Sequence, residues 1–97
     1  MLPLVKIIVT LGPSCQSEEK IQSLAQKGAD IFRFNLKHNT LDWHKKRINL
    51  VRRIGKKLQK PIGILADIEG GELRTGKFGV ESSLALKEGE TVVFSEK

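Results

Sequence analysis

Long apolar runs are missing from these 97 residues. Stretches such as residues 7–9 or 62–66 fall far short of the roughly 18 consecutive apolar residues that a bilayer-spanning helix requires, so no transmembrane segment is expected. The amino terminus also lacks the basic stretch, apolar core and small-residue cleavage site of a secretory signal, and the expectation is a cytoplasmic protein. Cysteine is nearly absent: a lone Cys15 excludes an internal disulfide and cannot alone build a zinc site, which usually takes about four Cys or His ligands. It reads as an inert thiol. The chain is too short for a multidomain enzyme, because one domain occupies roughly 100 to 200 residues.

Acidic residues are missing from one stretch. Residues 45–60 hold eight Lys and Arg and no Asp or Glu, and they supply the whole of the +6 net charge, the remainder being slightly acidic. Such asymmetry is the electrostatic footprint of a nucleic-acid binder, or else the solvated face of a helix. Tyrosine is absent, Trp43 is the only aromatic near the run, and no recognised nucleic-acid motif accompanies it. The helix face is the better reading, and nucleic acid is not an expected partner.

What is present alternates in texture. Residues 4–11 form an apolar, β-branched run stopped by Gly12-Pro13, which predicts a buried strand. Ser17 caps a helix with Glu18 and Glu19 in its first turn and an apolar stripe at Ile21, Leu24 and Ala25; Gly28 closes it. Residues 29–36 predict a second strand. Thr40 then caps a longer helix whose inward stripe is Leu41, His44, Ile48, Val51, Ile54 and Leu58, punctuated by Pro61. Residues 62–66, ending at Asp67, predict a third strand. Strand, helix, strand, helix, strand implies right-handed crossovers and a parallel sheet, in an α/β fold that opens either a barrel or an open sheet. After Asp67 comes a glycine-rich loop, and residues 84–86 and 91–94 flank Lys87-Glu88-Gly89-Glu90 as the arms of an expected β-hairpin, with a boundary near Gly76.

In parallel α/β folds ligands lie beyond the carboxyl ends of the strands. Thr10, Gly12, Pro13 and Ser14 follow the first strand; Arg33, Asn35, Lys37 and His38 the second; Asp67, Glu69, Glu72 and Arg74 the third. Two arginines and a lysine at one rim suit a phosphate or carboxylate, since guanidinium forks bind oxyanions in pairs of hydrogen bonds. Asp67 and Glu72 either pair with these cations or hold a metal. Arg33 is equally suited to an ion pair with Asp67 or to direct substrate contact, and His38, with no His or Cys beside it, reads as a capping or hydrogen-bonding residue. Physics alone gives an anion-binding α/β unit.

Three segments in order are more specific: residues 6–14 (KIIVTLGPS), residues 33–38 (RFNLKH) and residues 65–76 (LADIEGGELRTG). Together they resemble the amino-terminal part of pyruvate kinase, over essentially residues 4–97. The resemblance implies residues 1–76 as the opening of a (β/α)8 TIM barrel and residues 77–97 as the start of the small β-domain inserted after its third strand. It implies transfer of phosphoryl from phosphoenolpyruvate to ADP, giving pyruvate and ATP in glycolysis, with magnesium and potassium as cofactors. By that resemblance Arg33 contacts the transferred phosphate; Asn35, Leu36, Lys37, His38 and Arg74 contact the nucleotide; Asn35 and Asp67 are monovalent-cation ligands; and Glu72 is the acid that accompanies potassium dependence. Lys37 stands where the family has serine, Ile68 where it has threonine, and Glu69-Gly70-Gly71 where it has Lys-Gly-Pro. The family's catalytic lysine and divalent-metal carboxylates lie further along its chain, so no complete catalytic set is expected here, and these 97 residues alone are expected to be inactive. The competing expectations are a non-catalytic binding module or truncated relic using the anion-binding rim and, less favoured, the basic-helix nucleic-acid binder; a complementing barrel fragment or a second copy of the chain is the expected protein partner.

Overall fold

The computed structural model describes residues 4–76 and 83–96. Three strands, β1 (Ile8–Thr10), β2 (Ile31–Asn35) and β3 (Gly63–Asp67), alternate with two helices, α1 (Glu18–Gln26) and α2 (Leu41–Leu58). The strands form one parallel sheet in the order β1-β2-β3. Ile8 pairs with Ile31, which pairs with Gly63, so the carboxyl ends Thr10, Asn35 and Asp67 finish along a common edge.

The caps lie where the sequence placed them. The Ser17 hydroxyl accepts from the Lys20 amide, and Thr40 accepts from the Trp43 amide, each satisfying an amide that the first helical turn cannot. Gly28, at φ +119°, follows α1 in a conformation that side chains resist. α2 ends instead on Gln59 in the left-handed region, with Pro61 two residues on. A glycine or asparagine is usual there.

Both helices cover one face of the sheet. Phe32 and Phe34 on β2 meet Ile21 and Ala25 of α1 and Val51 and Ile54 of α2 in the core. The inward stripe of α2 holds from His44 to Leu58, but Leu41 is exposed, because it begins the helix before the helix reaches the sheet. Four of the eight cations of residues 45–60 have local partners. Arg47 lies over the Trp43 ring at 4.7 Å, Arg53 reaches Glu18 at 3.8 Å, Lys57 donates to Gln22, and Lys60 donates to the carbonyls of Ala25 and Ala29. Half of the run's cations are thus engaged within the chain.

Two further expectations are corrected. The first strand is three residues, not the whole of 4–11: the ladder begins at the Ile8–Ile31 pair. Ile7 is tied instead to Asp30, whose amide donates to its carbonyl and whose carboxylate accepts from its amide, and Leu4, Val5 and Ile7 stay exposed. The arms expected at 84–86 and 91–94 form no strand. A turn does form, the Glu90 amide donating to the Lys87 carbonyl at 3.1 Å and Gly89 taking φ +84°, but Leu84, Leu86, Val93 and Phe94 are exposed. An isolated two-stranded hairpin is marginal in water without a surface to pack on. Residues 77–82, where the inserted domain is expected to begin, lie outside the described residues.

Candidate functional site at the carboxyl rim of the sheet

Alternation along β2 sends Phe32 and Phe34 toward the helices and Arg33 and Asn35 to the opposite face. The parallel register places Thr10 and Leu65 beside Arg33, and Asp67 beside Asn35. Arg33 is therefore gripped from both sides. Its Nη1 donates to Thr10 Oγ1 at 3.2 Å, its Nε donates to Asp67 Oδ2 at 3.1 Å, and its Nη2 pairs with the same carboxylate. Of the two roles open to Arg33, the ion pair with Asp67 is formed.

The loop leaving β2 folds back on the strand end. Asn35 Oδ1 accepts from the Lys37 amide at 3.2 Å, the His38 amide donates to the Asn35 carbonyl, and the Leu36 amide donates to the Asp67 carbonyl. From this loop the Lys37 ammonium reaches Glu72 Oε2 at 3.4 Å, and Arg74 Nε donates to the same oxygen at 2.8 Å. The hydrogen bond from Arg74, and then that from Lys37, holds the Glu72 carboxyl below its ordinary pKa. Both cations stabilise its charged form.

Arg33, Asn35, Lys37, His38, Asp67, Glu72 and Arg74, with Ile68 and Glu69, enclose a cavity of about 150 Å³. Every rim residue singled out from the sequence after the second and third strands lines it, with one exception. Leu36 does not; its side chain packs against the core and only its amide serves the rim. The cavity brings together three cations, Arg33, Lys37 and Arg74, and three carboxylates, Asp67, Glu69 and Glu72. An incoming anion must compete with carboxylates already seated on those cations.

The fit to metals is poor. Among the described residues no three His, Cys, Asp or Glu side chains are grouped to hold a metal ion. A monovalent cation at Asn35 and Asp67 would meet an amide oxygen already accepting from its own loop and a carboxylate already held by Arg33, while Ile68 brings no hydroxyl and Lys37 adds a positive charge. Cys15 lies apart, its Sγ donating to the Thr10 carbonyl at 3.4 Å. The residue that sequence reasoning underrated is His44, taken only as part of the apolar stripe; its ring nitrogen meets the His38 carbonyl under the loop. A polar side chain in an aliphatic stripe was the available signal.

Comparisons with known proteins agree on one family. A family model described as "Pyruvate kinase, barrel domain" matches residues 2–97. Pyruvate kinase 2 of Synechocystis sp. is 39% identical over 93 residues, 95% of this chain and 16% of that protein. The pyruvate kinase of Methylorubrum extorquens is 41% identical over 88 residues, 91% of this chain and 18% of that protein. A crystal structure of a pyruvate kinase from Cryptosporidium parvum superposes with a TM-score of 0.65 at 34% identity, covering 69% of this chain and 14% of that one. The chain spans about a sixth of the length of the curated relatives it matches.

Proposed function

The chain belongs to the pyruvate kinase family of phosphotransferases, and from that membership we propose that its rim is the amino-terminal share of a site for phosphoenolpyruvate and ADP. The observation that carries the reading is Arg33, held by Thr10 and Asp67 at the carboxyl ends of three parallel strands, with Lys37 and Arg74 lining the same cavity. Phosphoryl transfer depends mainly on positioning and charge neutralisation, and a guanidinium fixed from two sides meets a phosphate without first losing its own freedom. In this reading Arg33 takes the phosphate being transferred. Residues 35–38 and Arg74 face the nucleotide, with Leu36 contributing backbone only. Residues 1–76 are the barrel's opening and residues 77–97 begin the inserted domain. Turnover belongs to the whole protein, because the groups that hold magnesium and handle the enolate lie elsewhere in the family's chain; when bound, magnesium neutralises phosphate charge. The open sheet face beside the rim is what the remaining barrel strands cover, and self-association is the substitute when they are absent.

Potassium is not part of this proposal. At about 4 Å two unit charges repel by roughly 4 kcal/mol at an effective dielectric of 20, so an ammonium on Lys37 and a potassium ion in one small cavity oppose each other. Binding of phosphoenolpyruvate is expected to be independent of potassium. Calorimetric titration in potassium and in tetramethylammonium buffers at matched ionic strength checks it: clearly tighter binding in potassium sinks the potassium statement, and Lys37→Ser should create that dependence. Failure of Arg33→Ala to weaken binding of phosphoenolpyruvate would sink the site itself.

A further inference from the structure

Among the described residues His44 is the single buried polar side chain, 3% exposed. It occupies α2 between Leu41 and Ile48, in a stripe otherwise taken by aliphatic residues. A leucine there would fill space without desolvating any polar atom. Instead an imidazole stands edge-on to Phe34, with ring centroids 6.0 Å apart, and to Trp43 at 5.0 Å. Its Nε2 lies 2.6 Å from the backbone oxygen of His38. A carbonyl only accepts, so Nε2 carries a proton. The other ring nitrogen, Nδ1, is buried and has no hydrogen-bond partner among the described residues.

An orphaned buried nitrogen is unfavourable, so packing alone gives no reason for a histidine at this place. What the ring supplies and an aliphatic side chain cannot is the bond to the His38 carbonyl. That carbonyl sits midway along the loop between Asn35 and the Thr40 cap. The loop's other ties, from the Leu36, Lys37 and His38 amides, all lead back to the strand ends at Asn35 and Asp67. The His44 bond is the tie from beneath, on the helix side. Asn39, the next residue, takes φ 62°, so the chain reverses immediately after the anchored carbonyl. Ahead of the same anchor stands Lys37, whose ammonium reaches into the cavity toward Glu72.

We infer that His44 is a positioning residue: through Nε2–H it fixes the His38 carbonyl, and thereby sets where residues 35–38, and Lys37 above all, stand over the rim cavity. The inference rests on the rim being a nucleotide site. It acts through the loop, and His44 itself touches no ligand.

Three measurements on the full 97-residue chain test it. Ring ¹⁵N correlation spectra of the wild type should show His44 protonated at Nε2; a proton on Nδ1 alone overturns the inference. His44→Phe keeps an aromatic ring between Phe34 and Trp43 while deleting both nitrogens. It should leave the thermal midpoint unchanged or raised, yet speed amide exchange at Lys37 and His38 and weaken ADP binding by about tenfold, the scale of one lost hydrogen bond. His44→Gln restores a side-chain N–H donor without the ring, and should recover most of the exchange protection and affinity even at a lower thermal midpoint. Wild-type exchange and affinity in His44→Phe overturn the inference, as does a rank order that follows stability instead of the donor. Should ADP not bind the wild-type chain at all, the nucleotide reading of the rim fails, and the exchange comparison then decides the role of His44 by itself.

Discussion

On β2 the side chains of Phe32 and Phe34 are fully buried, while Ile31, Arg33 and Asn35, one residue out of phase on the same strand, remain partly open to solvent. The neighbouring strands repeat the contrast. Ile8 is 51% exposed and Leu65 37%, on the face away from the helices. Two crossover helices have completed one side of the sheet with aliphatic and aromatic packing. The other side is apolar toward the amino ends of the strands and ionic toward their carboxyl ends, where Thr10, Arg33 and Asp67 interlock. A parallel sheet normally has both faces covered. The helix-covered face carries the packed core of this unit; the open face carries its ionic cluster and its demand for further cover.

The largest expected effect tests the first half of that contrast. Phe34→Ala empties the centre of the covered face and should cost about 3 to 5 kcal/mol, a large share of what a domain this small possesses. Leu65→Ala on the open face should cost less, about 1 to 2 kcal/mol, because 37% of the residue still meets water. Urea denaturation of the two variants decides the matter; equal losses would mean that the faces are equally packed. Next in size is Arg33→Ala. Losing charge-assisted hydrogen bonds, each worth about 1.5 to 3 kcal/mol, should weaken phosphoenolpyruvate binding roughly ten- to hundredfold, with a much smaller change in the urea midpoint. A variant that unfolds without losing affinity while folded would place the ion pair in the scaffold alone. Smaller again is Thr40→Ala, which uncaps the helix covering the finished face; a loss of about 1 kcal/mol is expected by thermal denaturation, with faster amide exchange confined to the first turn of α2.

The covered half of the molecule was legible because its signals are local. Ser17 and Thr40 announce helix starts by their chemistry, Phe32-Arg33-Phe34 announces a two-sided strand, and the spacing from His44 to Leu58 announces a buried stripe. The rim was legible in its membership, since topology carries every strand's carboxyl end to one edge. Its pairing was legible only in part. The Arg33–Asp67 ion pair stood as one of two roles for Arg33, but nothing in the residue order said that Glu72 would take both Lys37 and Arg74, because that choice depends on where two loops pass each other. The length of β1 was equally hidden: residues 4–7 are as β-prone as Ile8 and Val9, but the ladder begins only at the Ile8–Ile31 pair. The hairpin arms failed for the opposite reason, having the pattern of strands and no surface to cover. His44 shows a third limit, since periodicity found its burial and could not find its bond.

The finest distinction between the faces concerns Glu72, which on the ionic side pairs with both Lys37 and Arg74. Its carboxyl is held below the ordinary value of 4.5, first by the Arg74 hydrogen bond and then by that from Lys37. A lowered folded pKa means that the bridge is fully made above the ordinary value and is lost as pH falls through the lowered one. The cluster should therefore survive the mildly acidic range in which free glutamates protonate, then open and release both cations. A carboxyl ¹³C titration should place the Glu72 midpoint below 4.5 in the wild-type chain. Arg74→Ala should raise that midpoint more than Lys37→Ala does, because the Arg74 hydrogen bond is the larger cause; the reverse order would mean that the lysine is the true partner. The same geometry fixes a sign at neutral pH. Glu72→Gln removes the charge that competes for Lys37 and Arg74, so inorganic phosphate should bind modestly tighter to the variant than to the wild type. Weaker binding would show that Glu72 aims the two cations at the cavity and does not occupy them.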